Sequence, residues 1–371
     1  MPSQLPPVNH YLCGTTALCV LQDTGAPQGS DDYTTLVLIH GLGWHSGNFK
    51  KLVPCARRSK IRIVLLNRRD YPGARPHSPE ELAHLTRLGS SPSTAGAAQE
   101  TSAVMADHGR DVYDFLVDFI HRQRIPAARG NTGGVVLVGW SLACVWITAF
   151  LANVASFPVD DVKVDTYVRR VVLYDPSCVL LGYPRPSDWY HPITDPSIPL
   201  TELCARFNEW QAGYYTHGDL VKDGPDALET CTSAKDISST MSRLSVTDLA
   251  DSVYGPPMEP SGSDRLLIEA CMRHGTWGDL KDAAMYLPGA ECEPGADDWR
   301  SVDVKVAWCD RSVWEMALGS YLLEKELAEA RRACKSPREV SFVRVKGANH
   351  FAHWDMPEKV LKAFLGDELI A

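Results

Sequence analysis

The sequence has no basic surplus: 37 Lys and Arg stand against 46 Asp and Glu, a formal net charge of -9. Few counterions would be released from a phosphate backbone by such a chain, which argues against nucleic acid as a partner. It also lacks a long apolar run. The most apolar stretch, Leu142 to Ala155, is interrupted by Thr148 and Asn153 and falls short of the ~20 residues a membrane helix needs, so a buried core helix is expected there. The first residues, Met1 to Pro7, have neither a basic start nor an apolar stretch, which predicts no secretory signal or membrane anchor. Eleven cysteines are scattered from Cys13 to Cys334 without one Cys-x-x-Cys pair. That pattern suits reduced thiols in the cytoplasm better than a disulfide frame, and it offers no clustered zinc ligands.

What is present fits an ordinary globular protein. Hydrophobic residues make up 44% and charged residues 22% of the 371 positions, enough for one large core with a sizeable insertion. Apolar runs rich in β-branched residues recur at Leu36 to Ile39, Ile61 to Leu66, Val135 to Val138 and Val171 to Leu173, with a helical spacing of apolar residues from Gln99 to Arg122 between them. Strands that are apolar throughout and alternate with helices predict a mostly parallel α/β sheet covered on both faces. The alternation stops from Leu181 to Arg300, where Pro, Gly, Asp and aromatics dominate. It resumes with a strand over Val302 to Trp308, a helix over Val313 to Ala333, a strand over Val340 to Val345 and a helix over Pro357 to Leu365. The pattern predicts a core of residues 1–180 and 301–371 with a helical cap over 181–300. Tyr11 to Gln22 is the candidate for an antiparallel opening hairpin, and Ser90 to Ala98 reads as a small-residue loop.

The strongest chemical signal is Gly139-Trp140-Ser141-Leu142-Ala143, set between an apolar strand and an apolar helix. A serine at a sharp strand-to-helix turn has its hydroxyl lifted clear of the sheet, with the next backbone N–H facing the same space. Ala143 stands where a second glycine is usual. Upstream, His40-Gly41-Leu42-Gly43 follows a core strand, and a glycine turn there frees backbone N–H groups. The N–H groups of Leu42 and Leu142 are the candidates for an oxyanion hole. Late in the chain, Gly347-Ala348-Asn349-His350-Phe351 places an imidazole where a general base belongs, with His353 as a packing residue three positions on.

Taken in order, strand-His-Gly-x-Gly, strand-Gly-x-Ser-x-Ala-helix and the late Gly-x-x-His resemble the α/β-hydrolase superfamily, over roughly residues 11 to 180 and 302 to 371. More loosely, Leu173-Tyr174-Asp175-Pro176, Leu181 to Pro184 and Trp210 to His217 are similar to stretches of uncharacterised fungal hydrolases of that superfamily. The resemblance implies a Ser141-His350 pair completed by an acid. The loop that usually carries it is Cys309-Asp310-Arg311-Ser312, and the expected register falls on Ser312. Asp310 is two residues early. Asp175, followed by Pro176, is the leading candidate, with Asp310 as the alternative and Glu315 behind them. Asn67-Arg68-Arg69-Asp70-Tyr71-Pro72-Gly73 resembles a structural loop of the family.

The implied chemistry is acyl transfer to water from an ester of a hydrophobic small molecule, with no metal or organic cofactor. An acyltransferase or cyclising enzyme using the same residues, or a ligand-binding homologue with a silent triad, are the alternatives. Trp44 and His45, beside the glycine turn, and Trp210, Tyr214 and Tyr215 in the cap are the candidate substrate contacts.

Overall fold

The computed structural model describes residues 16–159, 161–287 and 298–366. Seven strands form one sheet: β1 (Cys19–Asp23), β2 (Thr35–Ile39), β3 (Arg62–Asn67), β4 (Val135–Trp140), β5 (Val168–Tyr174), β6 (Asp303–Cys309) and β7 (Val340–Val345). Their order is β1-β3-β2-β4-β5-β6-β7, parallel throughout except for β1, which runs antiparallel to β3. β2, β3 and β4 are buried at every residue, because helices cover both faces and leave no face for polar side chains. The opening strand lies at Cys19–Asp23, whereas the first half of the expected hairpin falls outside the described residues.

The helices, in chain order, are α1 (Val53–Ser59), α2 (Pro79–Ser90), α3 (Ala95–Gln123), α4 (Cys144–Asn153), α5 (Leu200–Gln211), α6 (Leu220–Asp223), α7 (Val246–Ala250), α8 (Ser263–His274), α9 (Thr276–Met285), α10 (Trp314–Arg332), α11 (Ala352–Asp355) and α12 (Pro357–Leu365). The small-residue stretch expected as a loop shrinks to residues 91–94. Thr94 accepts the Ala97 N–H at 3.3 Å and starts α3 there, so local capping outweighs the low apolar content of Ala95-Gly96-Ala97-Ala98. α4 is buried from Cys144 to Leu151, as expected of a helix apolar on every side.

Between β5 and β6 the described residues contain helices and no strand of the sheet. This segment is not uniform. Leu266, Leu267 and Cys271 of α8, with Trp277, Leu280, Ala284 and Met285 of α9, join the main apolar cluster under α3 and α4. Phe207 and Trp210 of α5, with Tyr215 and Leu220, instead pack against Val313, Trp314, Met316 and Leu318 at the start of α10. A third stretch, around α7, lies along the loop after β2: Val253 forms an antiparallel bridge with Trp44, His45 N donates to Ser252 O at 2.8 Å, and Tyr254 N to Gly43 O at 2.9 Å.

Helices α3 and α4 meet at Gly109, where an added Cβ would fall 2.8 Å from the Ala149 carbonyl oxygen and 2.9 Å from its carbon. Backbone cannot yield as a flexible side chain would, so the helices must separate to admit a methyl. Gly109→Ala is therefore expected to destabilise the protein by about 1–3 kcal/mol, seen as a lower urea midpoint at unchanged m-value. An unshifted midpoint would show that this contact is looser than described.

Candidate active site

The site forms at the carboxyl ends of adjacent strands, where a parallel sheet leaves chain ends free to turn into a crevice. β4 ends in Trp140, and Ser141 turns the chain with φ of +54° into a short 3-10 turn that continues as α4. A side chain in that left-handed region costs roughly 1–2 kcal/mol, so the turn must be held by its surroundings. Gly139 permits it: a Cβ there would sit 2.5 Å from Ala143 O and 2.6 Å from Ile147 Cγ1. Ala143 itself has φ of -65°, an ordinary helical value, so the methyl at this position needs no strained backbone. The Ser141 residue is 6% exposed.

The glycine turn after β2 comes directly against this serine. A Cβ on Gly41 would lie 2.9 Å from Ser141 Cβ and 3.2 Å from Trp140 Cε3, so only glycine lets the loop approach. The Leu42 N–H has no hydrogen-bond partner among the described residues. Leu142 N–H belongs to the first turn of its helix, where amides lack an intrahelical acceptor. These are the two donors picked out in the sequence.

β5 ends with a second left-handed residue, Asp175, at φ of +54°. Its carboxylate is fully buried and takes three donors: Cys309 N at 2.8 Å on Oδ1, and Ser312 Oγ at 2.5 Å and His350 Nδ1 at 2.6 Å on Oδ2. Ser312, which fills the register position where the resemblance led one to expect an acid, is thus bonded to the carboxylate contributed by the neighbouring strand. His350 is fully buried, and its Nε2 has no partner among the described residues. Trp140 backs it, with Nε1 donating to His350 O at 3.0 Å and the two rings 4.9 Å apart.

Asp310 lies elsewhere. Its Oδ1 accepts the Gly347 N–H at 2.6 Å and its Oδ2 the Arg344 Nε at 2.8 Å, so it ties β6 to the turn after β7. Glu315, buried at the start of α10, pairs with Arg185 Nε at 2.7 Å and lies 3.6 Å from His191 Nε2. Burial raises the Glu315 carboxyl above its usual range, and Arg185 offsets this only in part. His353 packs against Trp140 and Phe49 at 4.7 and 4.9 Å, with Nδ1 3.3 Å from the Tyr174 hydroxyl.

The expected substrate contacts are otherwise engaged. Trp44 is fully buried, donates Nε1 to Asn208 Oδ1 at 3.1 Å and meets Phe351 edge to face. His45 caps a 3-10 turn, its Nδ1 accepting the Gly47 N–H at 3.1 Å. Tyr214 donates to Asp355 Oδ2 at 2.6 Å, and Tyr215 to Trp210 O at 3.0 Å. Trp210 is buried against Phe207 and His191, its Nε1 without a partner among the described residues. Adjacency in the chain suggested ligand contact for Trp44 and His45, but the turn at Ser46–Phe49 folds both side chains into the protein. Two polar groups escaped the sequence: Arg68 and Tyr71, read there only as part of a structural loop, meet Asp264 beside the glycine turn, and Arg185 and His191 meet Glu315.

Residues 36–363 match the profile described as the Alpha/beta hydrolase family. No curated protein matches the sequence. Solved structures of similar fold include a bromoperoxidase from Bacillus anthracis, at 13% identity with 93% of this chain and 94% of that one covered and a TM-score of 0.44. A lipase-esterase related protein from Clostridium acetobutylicum is 12% identical over 89% and 94% of the two chains, with a TM-score of 0.42. The peroxisomal alpha-beta-hydrolase of Saccharomyces cerevisiae is 11% identical over 98% and 85%, with a TM-score of 0.41. Among the described residues no group of three His, Cys, Asp or Glu is placed to hold a metal ion, and no helix is long and apolar enough to cross a membrane.

Several histidines are buried uncharged. Burial, then the Arg185 charge, brings His191 down to about 3 from an ordinary 6.5. Burial with Arg68 lowers His40, and burial with His350 lowers His353. Below about pH 6.5 the unfolded chain binds a proton at His191 that the folded chain does not, so this contribution to stability is complete above that pH and is lost as pH falls towards 3; His40 and His353 act in the same direction. His191 alone is expected to contribute about 1 kcal/mol per pH unit of lost stability between roughly pH 6 and 5, before carboxylates titrate. Urea midpoints measured across that interval check this, and His191→Gln should flatten the slope. A pH-independent midpoint there would refute it.

Proposed function

We propose, from the premise that the chain belongs to the Alpha/beta hydrolase family, that it is a serine hydrolase cleaving an ester of a hydrophobic small molecule through an acyl-enzyme. The observation that carries this reading is the 2.6 Å contact between buried Asp175 and His350 Nδ1, which leaves Nε2 as the open nitrogen of the ring. An imidazole held in that tautomer accepts a proton at Nε2 and has its resulting charge balanced by the carboxylate. Ser141 Oγ attacks the ester carbonyl carbon while its proton passes to His350 Nε2. The carbonyl oxygen gains negative charge and is met by the Leu42 and Leu142 N–H groups, fixed donors worth perhaps ~3 kcal/mol each when one is deleted. Collapse expels the alcohol, which takes the proton from His350. Water then repeats the sequence on the acyl-serine, releasing the acid and restoring Ser141.

Asp175 is assigned the triad acid and Asp310 a structural clamp, in line with their partners. Leu42 packs against the buried cluster of Phe207, Trp210, Tyr215 and Trp314, so the surroundings of the proposed oxyanion donor are apolar, which favours an apolar acyl or aryl group in the substrate. The helical segment between β5 and β6 is assigned the cap, with α8 and α9 rooted in the core and residues 200–258 over the site.

Labelling by a fluorophosphonate probe tests the assignment. Ser141→Ala should abolish it. Asp175→Asn is expected to slow it by about three to four orders of magnitude, because the imidazole loses its orienting acceptor. Asp310→Asn should leave the rate within about threefold, since Asp310 bonds Gly347 and Arg344 and not His350, and its amide replacement still accepts the Gly347 N–H. Equal loss in both aspartate variants, or labelling that survives in Ser141→Ala, would defeat the scheme.

A further inference from the structure

The glycine turn that carries Leu42 is gripped by a buried charge. Arg68, the residue immediately after β3, donates Nε to His40 O at 3.2 Å and Nη2 to Gly41 O at 3.0 Å. The same guanidinium binds Asp264 of α8 through both carboxylate oxygens, each at 2.7 Å. Tyr71 donates its hydroxyl to Asp264 Oδ2 at 2.7 Å and accepts the Gly43 N–H at 3.1 Å. Arg68 also lies over the Trp146 ring at 4.2 Å and the Tyr71 ring at 4.8 Å. All three residues are buried.

Removing an arginine and an aspartate from water costs several kcal/mol per ion, and well-packed apolar residues of similar volume often serve stability as well. The partners of this guanidinium point to a different use. The Gly41 carbonyl and the Leu42 N–H belong to one peptide plane, and in a trans peptide they point in opposite directions. A guanidinium bound to the oxygen on one side therefore aims the N–H at the other. Its positive charge also draws electron density along the amide and makes that N–H a stronger donor. The Tyr71 hydroxyl fixes the next amide, that of Gly43, so the Leu42 peptide cannot turn.

We infer that Arg68 is a positioning residue for the oxyanion, held in place by Asp264 and Tyr71, and that the inserted segment thereby sets the aim of the Leu42 N–H. This builds on the serine-hydrolase reading above. Burial works against the Arg68 charge, but Asp264 and Tyr71 outweigh it and raise its affinity for the proton, so the guanidinium stays charged.

The test compares wild type with Arg68→Lys and with the double variant Arg68→Met/Asp264→Leu, which removes the ion pair while keeping apolar volume. The readouts are kcat and KM for a p-nitrophenyl ester, the exchange rate of the Leu42 amide hydrogen and the urea midpoint. The double variant should lose about 10- to 100-fold in kcat with KM within about threefold, and its Leu42 amide should exchange faster. Arg68→Lys, which keeps the charge but not the fork, should recover part of the loss. A double variant with wild-type kcat, a change confined to KM, or an unchanged exchange rate would overturn the inference. If wild type shows neither turnover nor labelling, the serine reading fails separately. Accelerated exchange in the variant would then mark the clamp as a structural brace only, which also overturns the positioning role.

Discussion

A carboxylate sealed from water is tolerable only if its lone pairs are met by donors, and Asp175 organises the carboxyl edge of the sheet around that requirement. Its donors come from the end of β6, from the loop that follows it, and from the loop after β7. Neighbouring strands in parallel register deliver them: Tyr174 lies beside Ala307, and Cys309 beside Val345. β4 and β5 are each followed directly by a non-glycine residue of positive φ, Ser141 and Asp175. The loop after β7 lies against both ends: His350 bonds Asp175 through Nδ1, and its carbonyl accepts the Nε1–H of Trp140, the residue before Ser141.

Much of this was legible in the sequence where one physical cause dominates. β2, β3, β4 and β7 are recognisable because their residues are apolar or β-branched in short runs bounded by turns. The helix over Pro357–Leu365 announces itself by its opening proline and apolar face. Gly41 and Gly139 are readable for a similar reason, since close approach of backbone admits no alternative residue. The acid was ambiguous because a carboxylate reaches the histidine from either of two adjacent loops, and only the sheet's register decides which is nearer. Segment 181–300 hid its division of labour. α8 and α9 bury their apolar faces in the core while α5 serves a separate cluster, a distinction that depends on partners far away in the chain.

The electrostatic character of the region also escapes a linear reading. Arg68–Asp264 joins residues almost two hundred positions apart, and Glu315 meets Arg185 and His191 from a different element. Each charge looks like an exposed residue when read singly. Burial and the neighbouring guanidinium lower the proton affinity of His40 beside Arg68 and of His191 beside Arg185.

The bridge between Trp44 and Val253, flanked by the bonds from His45 to Ser252 and from Tyr254 to Gly43, stitches residues 252–254 of the inserted segment to the very turn that holds Leu42. A segment fastened to a turn cannot shift without moving that turn, so the placement of residues 252–254 and the orientation of the neighbouring Leu42 amide are mechanically one variable, and a chain engineered to loosen the one would surrender the other in the same stroke.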